Sequence, residues 1–490
     1  MSKAIVIGAG IGGIAASIRL AIKGYQVDVY EKNSYPGGKL SAFSLGDYRF
    51  DAGPSLFTMP HFVTELFELA GENPADFFEY KKKEVNCEYF WEDGTRLTAY
   101  ADREKFSQSV ASQLNVPVQN IKNYLENAQT KYELTAPLFL NRSLHRMQTY
   151  LNKETLRAIA NLAKLELFQS LHQVNTQQLK NPYLIQFFDR FATYNGSDPY
   201  QTSGIMSLVQ HLEEHYGTFI PKKGMVDITV SLVKLAQRLG VHFHYDQKIK
   251  RIIVDEKSCK GIETQDQTIT SDIVVSNMDV VPTYHHLLRG HKAPNTYLKQ
   301  ERSSSALIFY WGIQHSFPQL DLHNIFFSKA YKEEFQAIFK EKTVGTDPTV
   351  YVNITSKEVP EDAPSGCENW FVMINAPADY RQDWEALVRQ TRRLVIKKLN
   401  AILNCDLDTL IVEETYLSPP LIAAKTASFK GALYGSSSNS RMSAFLRHPN
   451  FSRTINNLYF CGGSVHPGGG IPLCLLSAKI TADMIPTVHA

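Results

Sequence analysis

The residues best placed by type and spacing to do chemistry sit at the two ends of the 490-residue chain. Near the start, Gly8, Gly10 and Gly13 form G-x-G-x-x-G around Ile11 and Gly12, and Glu31 follows 21 positions after Gly10. In such a run the first glycine allows a tight turn, the second lets backbone approach a pyrophosphate, and the third lets helix and strand pack closely. An acid at that distance accepts hydrogen bonds from a ribose diol. The implied chemistry is the grip on a dinucleotide. Past Glu31, the turn-rich segment 32–39 carries Lys32, Gly37, Gly38 and Lys39, a glycine pair and a cation that could lie beside a pyrophosphate. A nicotinamide-binding domain would continue there into another long helix, so the loop favours a flavin over NAD. Ala52-Gly53-Pro54-Ser55 is small enough to let backbone pass close to a planar ring. At the far end, Cys461-Gly462-Gly463 runs into Ser464-Val465-His466-Pro467-Gly468-Gly469-Gly470-Ile471-Pro472, a second glycine loop before a helix. A helix N-terminus offers free N–H groups and partial positive charge. A ligand touching both ends is longer than a mononucleotide.

These residues need elements to hold them. Residues 4–7 read as a buried parallel strand, Gly12–Lys23 as a helix closed by Gly24, and Gln26–Tyr30 as a second strand delivering Glu31. Cys87–Trp91 and Arg96–Tyr100 form a hairpin signal around Asp93-Gly94. Helical periodicity dominates from about 102 to 215, punctuated by Pro117, Pro137, Pro182 and Pro199. The nucleotide pattern then resumes: a helix over Val226–Arg238, strands at 241–244 and 249–254, a small hairpin at 262–264 and 268–270, and a buried strand at 272–277 ending in Asn277. Four more strands, 305–313, 323–328, 349–355 and 369–376, suggest a mostly antiparallel sheet shared with the early hairpin. Asp383 caps a helix over Trp384–Leu403. The last strand, 457–463, precedes a helix from Leu473 to Met484. The expected fold is α/β: a split Rossmann-like dinucleotide domain (1–80, 216–290, 416–490) with an inserted mixed or antiparallel-sheet substrate domain (81–215, 291–415).

Within the helical part, residues 142–164 carry Arg142, Arg146, Lys153, Arg157 and Lys164 against one acid, Glu154, just after the apolar knot Ala136–Leu140. Two readings stay open. The helix docks on an anionic bilayer, or it faces the core with a solvated basic side. A net charge of +2, 43% hydrophobic and 20% charged residues describe an ordinary globular chain and argue against general nucleic-acid binding. Six cysteines lie scattered without C-x-x-C pairs or matched histidines, which fits a reducing cytoplasm and gives no metal site. No run of 18 uncharged apolar residues occurs, and the early glycines with Arg19 and Lys23 spoil a signal peptide. The expectation is a cytoplasmic protein, soluble or peripheral.

Taken together, the N-terminal fingerprint with Glu31-Lys32, the Gly37-Gly38-Lys39 loop, Asp51–Ser55, Gly224-Met225 before a helix, 274–279 and above all Leu458–Pro472 resemble the bacterial-type carotenoid desaturase family, relatives of bacterial phytoene desaturase. The likeness runs end to end. Among subfamilies it is nearest to the flavobacterial hydroxycarotenoid 3,4-desaturase type, and Lys222-Lys223 before Gly224 departs from the family pattern. The resemblance implies FAD. It implies that Gly8, Gly10, Ile11, Gly12 and Gly13 hold the pyrophosphate, Glu31 and Lys32 the ribose end, Gly38 and Lys39 the phosphates, and the Ile249 backbone the adenine. Gly462 and Gly463 would approach the diphosphate from the other side, with Asn277, Gly470, Ile471 and Ser55 around the flavin.

The implied reaction is a later-acting desaturation, with hydride leaving for flavin N5 and a proton lost from the neighbouring carbon. The allylic cation is delocalised, so the protein must chiefly orient an apolar rod and exclude water. Oxygen or a quinone would accept the electrons. Three residues are catalytic candidates. His466 either approaches the flavin or holds a turn; Asp189 and Arg190 either orient a hydroxylated substrate end or pair with each other on a helix. Alternatives are a phytoene desaturase, a carotenoid cis-trans isomerase, an amine oxidase, or a flavin-free prenyl-lipid escort protein.

Overall fold

The structure, a computed structural model, describes residues 2–140, 142–150, 157, 161–440 and 446–488. Five parallel strands form its first sheet, in the order Leu458–Phe460, Ile273–Ser276, Lys3–Ile7, Gln26–Tyr30, His242–His244. Strand alternation divides the central strand between two cores. Ala4 and Val6 join Ile14, Ile18, Ile228, Leu232 and Leu475 on one side, where the helices Ile11–Ile22, Val226–Arg238 and Ile471–Asp483 pack. Ile5 and Ile7 face Ile252, Ile262 and Val274 on the other, under a small antiparallel sheet of Arg251–Asp255, Ser258–Glu263 and Thr268–Thr270. Ile249 lies just outside that sheet, in the loop before Arg251.

The second sheet has seven strands, ordered Ile411–Leu417, Ser305–Ile313, Glu368–Ala376, Val350–Ile354, His323–Phe326, Val85–Phe90, Arg96–Tyr100. All neighbours are antiparallel except His323–Phe326 with Val85–Phe90. Leu307, Phe309 and Trp311 bury one face against Val388, Val395 and Leu399 of the helix Trp384–Leu403, whose start Asp383 caps by accepting from the Ala386 N–H at 3.0 Å. Ala306, Ile308 and Tyr310 alternate to the opposite face, toward the cavity described below.

The structure adds one strand to the sequence reading, extends one helix past its expected break, and leaves most of one expected helix outside the described residues. The edge strand Ile411–Leu417 went unanticipated because Glu413, Glu414 and Thr415 break the apolar run, although its exposure alternates as an edge strand's should. Pro137 does not stop the helix Val118–Phe139; it sits in the last turn. The basic helix at 142–164 is only partly describable, since Lys153, Glu154 and the apolar residues Leu151, Leu156, Ile159 and Ala160 lie outside the described residues. Met147–Tyr150 and Leu162–Leu165 are short 3₁₀ turns. Among the described residues no helix is long and apolar enough to cross a membrane.

Candidate cofactor and substrate site

The two sheets meet over one cavity of about 1630 Å³. Gly8, Gly10, Ile11 and Gly12 line it from the N-terminal turn, and Gly462, Gly463, Gly470 and Ile471 from the C-terminal loop. Asn277 knits the two together. Its Nδ2 donates to the Gly8 carbonyl at 3.4 Å, and a Cβ at Gly10, Gly12 or Gly462 would meet its amide at 2.7, 2.8 and 2.5 Å. Gly13 stands behind this wall. Its Cα abuts the Gly8 carbonyl oxygen so closely that a methyl there would fall far inside van der Waals contact.

Glu31, Lys32, Gly38, Lys39, Ser55 and Ile249 line the same cavity. The Glu31 carboxylate is buried and oriented by two backbone donors, Ala9 N–H to Oε2 and Asn33 N–H to Oε1, each 2.9 Å. Those bonds leave lone pairs for a diol. Gly37 bridges to Gly10, bringing the Lys39 loop beside the glycine turn, and Lys39 Nζ donates to the Leu433 carbonyl at 2.9 Å. Burial lowers the Lys39 pKa, so an anion beside it would be favoured. Lys32 Nζ instead reaches outward to the Ala424 carbonyl. The helix Ile471–Asp483 starts at Gly470, φ 103°, with Pro472 in its first turn, so its free N–H groups open on the cavity wall.

Toward the second sheet the wall becomes largely apolar, with Ile308, Phe371, Met373 and Tyr310, whose hydroxyl donates to the Ala52 carbonyl at 2.6 Å. Tyr434 packs on Gly469, where a Cβ would come within 2.8 Å of its ring, and its carbonyl accepts from Arg447 at 2.7 Å. Burial pushes Arg447 down to about 10. Tyr310, Tyr434, Arg447, Glu213, His323 and Tyr351 were missed in the sequence: each is set by its tertiary contacts or by its strand face, and none carries a local motif.

His466 lines the cavity and is buried; its Nε2–H donates to the Arg142 carbonyl at 2.9 Å, and its own carbonyl accepts from Asn450 and Ser477 at 2.8 and 2.9 Å. Burial pushes its pKa down to about 4, leaving a neutral ring, an arrangement that supports the turn-holding role. Asp189 and Arg190 do not pair with each other, contrary to the local ion pair weighed above. Consecutive helical residues project about 100° apart, and these two enter separate networks. Asp189, away from the cavity, accepts from His172 at 2.6 Å and Asn175 at 2.8 Å. Arg190 lines the cavity, donates to the Tyr89 hydroxyl at 2.5 Å, lies 3.6 Å from Glu213, and stacks over Tyr89, Phe191 and Tyr194, while Tyr194 donates to Glu213.

Because this charge pair is buried, removing one member strands the other. Arg190→Met should destabilise the protein by about 3–5 kcal/mol, and adding Glu213→Gln should recover a large part of the loss; denaturant unfolding of the single and double variants measures both. Among the described residues no group of three His, Cys, Asp or Glu side chains is placed to hold a metal ion.

A glycine cradle built from both chain ends, an oriented acid, a buried cation and a helix N-terminus around one long cavity fit FAD. The matching class is a flavoprotein oxidoreductase: the chain belongs to the flavin containing amine oxidoreductase family, whose model matches residues 11–486. Within that class it is a member of the carotenoid desaturase group. It is 55% identical over 490 residues, covering 100% of both chains, to the 1-hydroxycarotenoid 3,4-desaturase of Flavobacterium sp. (strain P99-3). It is 33% identical over 494 residues, covering 99% of this chain and 98% of the relative, to the 4,4'-diapolycopene oxygenase of Methylomonas sp. The crystal structure of an oxidoreductase from Methanosarcina mazei shares the fold, with a TM-score of 0.65 at 14% identity over 98% of this chain and 100% of that one. The cofactor is FAD, which sets aside the flavin-free escort alternative.

Proposed function

We propose that this protein is an FAD-dependent carotenoid desaturase acting late in carotenoid biosynthesis, forming a 3,4-type double bond in a hydroxylated carotenoid. The observation that carries the reading is the continuity of the site: the dinucleotide cradle and the largely apolar chamber over the seven-stranded sheet are one cavity. Bound FAD supplies the hydride acceptor. The chain's residues do the rest. Gly8, Gly10, Gly12, Gly462 and Gly463 admit the pyrophosphate, Glu31 takes the ribose, and Lys39 neutralises phosphate charge. Ile308, Tyr310, Phe371 and Met373 hold an apolar rod against the loop at Ala52–Ser55 and keep water out. No strong base is required, because the proton leaves a carbon next to a delocalised cation, and His466, neutral and hydrogen-bonded through Nε2, serves the wall rather than the proton.

A carotenoid must arrive from a bilayer. Ala136 and Leu140, at the end of the helix Val118–Phe139, line the cavity, and Met147 and Phe168 stand 77% and 78% exposed in the following segment with Arg142 and Arg146 exposed nearby. Exposed apolar side chains flanked by arginines suit peripheral docking on anionic lipid, with oxygen or a quinone taking the electrons afterwards.

The test is turnover by purified, FAD-loaded protein on anionic liposomes carrying single carotenoids, with products resolved by chromatography and visible absorption. A hydroxylated substrate should gain one conjugated double bond as acceptor is consumed. Reaction of phytoene alone would overturn the late assignment. Geometric isomers formed without acceptor consumption would mean an isomerase, and no reaction with any carotenoid would end the reading.

A further inference from the structure

Beside the Ala52–Ser55 loop, inside the largely apolar chamber, three polar side chains form a line. Ser55 Oγ lies 2.8 Å from the Tyr351 hydroxyl, and that hydroxyl lies 2.7 Å from His323 Nδ1. Register explains the meeting. His323 is directly opposite Asn353 across the antiparallel pair, and Tyr351, two residues before Asn353, shares its face. All three of Ser55, Tyr351 and His323 line the cavity.

The direction of every hydrogen bond in the line follows from its far end. Asn353 Nδ2 donates to the Leu322 carbonyl at 2.9 Å, which fixes the amide orientation, and it also donates to His323 Nδ1 at 3.2 Å. The Asn353 N–H directed at Nδ1 makes that nitrogen an acceptor, whose single lone pair Asn353 and Tyr351 share. It puts the proton of the buried ring, neutral with a pKa pushed down to about 3, on Nε2, which has no hydrogen-bond partner among the described residues. With Nδ1 accepting, the Tyr351 O–H donates to it. The Tyr351 oxygen then accepts the hydrogen of Ser55. Ser55 has no other hydrogen-bond partner among the described residues, so it is left presenting lone pairs, an acceptor with no hydrogen to give. Such a site matches a donor: a hydroxyl group, not an ether or a ketone.

We propose that Ser55, oriented by Tyr351, His323 and Asn353, accepts the hydrogen of the substrate's terminal hydroxyl and so selects hydroxylated polyenes. This rests on the desaturase reading above and supplies what that reading lacks, a residue that can tell an alcohol from a hydrocarbon. The position agrees with the chemistry. A hydroxyl on C1 is two carbons from C3, so a protein that oxidises the 3,4 bond must recognise the hydroxyl beside the reacting carbons, not at the remote end of the cavity. The Ala52–Ser55 loop is there: a Cβ at Gly53 would meet the Lys39 carbonyl at 2.7 Å, on the cofactor side, while the Ala52 carbonyl is held by Tyr310 of the substrate sheet.

The test is equilibrium binding of three ligands to FAD-loaded protein, followed by the shift in carotenoid absorption, with flavin content measured alongside. The ligands are a carotenoid with a tertiary C1 alcohol, its methyl ether and the unhydroxylated parent. Wild type should prefer the alcohol to the ether by about tenfold, the weight of one well-made hydrogen bond. Ser55→Ala should bring the alcohol-to-parent ratio close to one. Tyr351→Phe frees the serine hydrogen to turn toward the ligand, so the alcohol-to-ether preference should shrink through tighter binding of the ether, which a merely structural role would not produce. Turnover of carotenoids with no preference for the alcohol would overturn this inference and leave the desaturase reading standing. Loss of flavin from Ser55→Ala with an unchanged ligand ratio would overturn it by assigning the serine to the cofactor. Failure to bind any carotenoid would overturn both.

Discussion

Gly13→Ala should purify as a destabilised, nearly colourless protein. The added methyl would sit against the Gly8 carbonyl oxygen, far inside contact, and 3.1 Å from both Cβ and Nδ2 of Asn277. Neither side can retreat cheaply. Gly8, with φ 96°, is tied to the sheet by its N–H donating to the Tyr30 carbonyl at 2.8 Å, and the helix Ile11–Ile22 is locked by fully buried Ile14, Ala15, Ala16 and Ile18. Overpacking of this kind costs about 1–3 kcal/mol or more. The movement that relieves it also lifts Gly10 and Gly12 away from Asn277 and Gly462, so the cradle opens as the helix shifts. Flavin content should fall to about a tenth or less of wild type, since 1.4 kcal/mol is already tenfold in an equilibrium, and the melting temperature should fall with it. Gly10→Ala makes the contrast. Its methyl meets only the terminal Asn277 Nδ2, at 2.7 Å, and projects where a pyrophosphate would lie. That variant should fold with near-normal stability and still lose flavin. Full flavin occupancy and an unchanged melting temperature in Gly13→Ala would mean that the cradle does not depend on this close approach.

That contrast shows which parts of the site could be read in advance. Gly8 to Gly13 and the loop Gly462–Ile471 were legible because each acts through backbone geometry within a few residues of itself, where a missing Cβ or a helix start leaves a local mark, and Glu31 because an acid ending the second strand stands at a fixed spacing from those glycines. The meeting of the two ends needed no knowledge of side-chain packing, only that both patterns suit one ligand. Asn277 was legible as the polar end of a buried strand, but not as the amide that joins both loops, because its partners Gly8 and Gly462 are far off in both directions. The substrate chamber was read still more coarsely. Aromatic and β-branched runs announced the strands Ser305–Ile313 and Glu368–Ala376, yet which alternate residues face the cavity depends on where the helix Trp384–Leu403 packs. Arg190 illustrates the limit. From its neighbour in sequence it looked paired with Asp189, whereas burial on the other side of the helix end gives it Tyr89 and Glu213 instead.

Acid should unfold this protein through its buried histidines well before its exposed carboxylates titrate. His323, His448 and His466 are all buried, and burial pushes them from the ordinary 6.5 down to about 3, 3 and 4. Burial is what holds each ring neutral: the bonds that His448 Nδ1 donates to the Pro449 carbonyl at 2.7 Å and that His466 Nε2 donates to the Arg142 carbonyl pull the other way and are outweighed. His145 with Arg447 near His466 adds to the opposition to a second charge. Between pH 6.5 and about 4 the unfolded chain binds protons at these positions and the folded chain does not, so stability is fully present above 6.5 and is lost as pH falls. Each histidine contributes up to about 1.4 kcal/mol per pH unit in that window. Asp51, Asp189 and Asp362 pull the other way, since burial raises their pKa values and the folded state takes up their protons first. The net fall between pH 7 and pH 5 should therefore be a few kcal/mol rather than the histidine sum. His448→Gln separates the two groups, because the amide can keep the bond to Pro449 and cannot titrate. Melting temperature measured against pH on the FAD-loaded protein should show a shallower slope for that variant by about one histidine's share. Superimposable profiles from pH 7 to pH 5 would show that the ring of His448 takes up its proton as readily folded as unfolded.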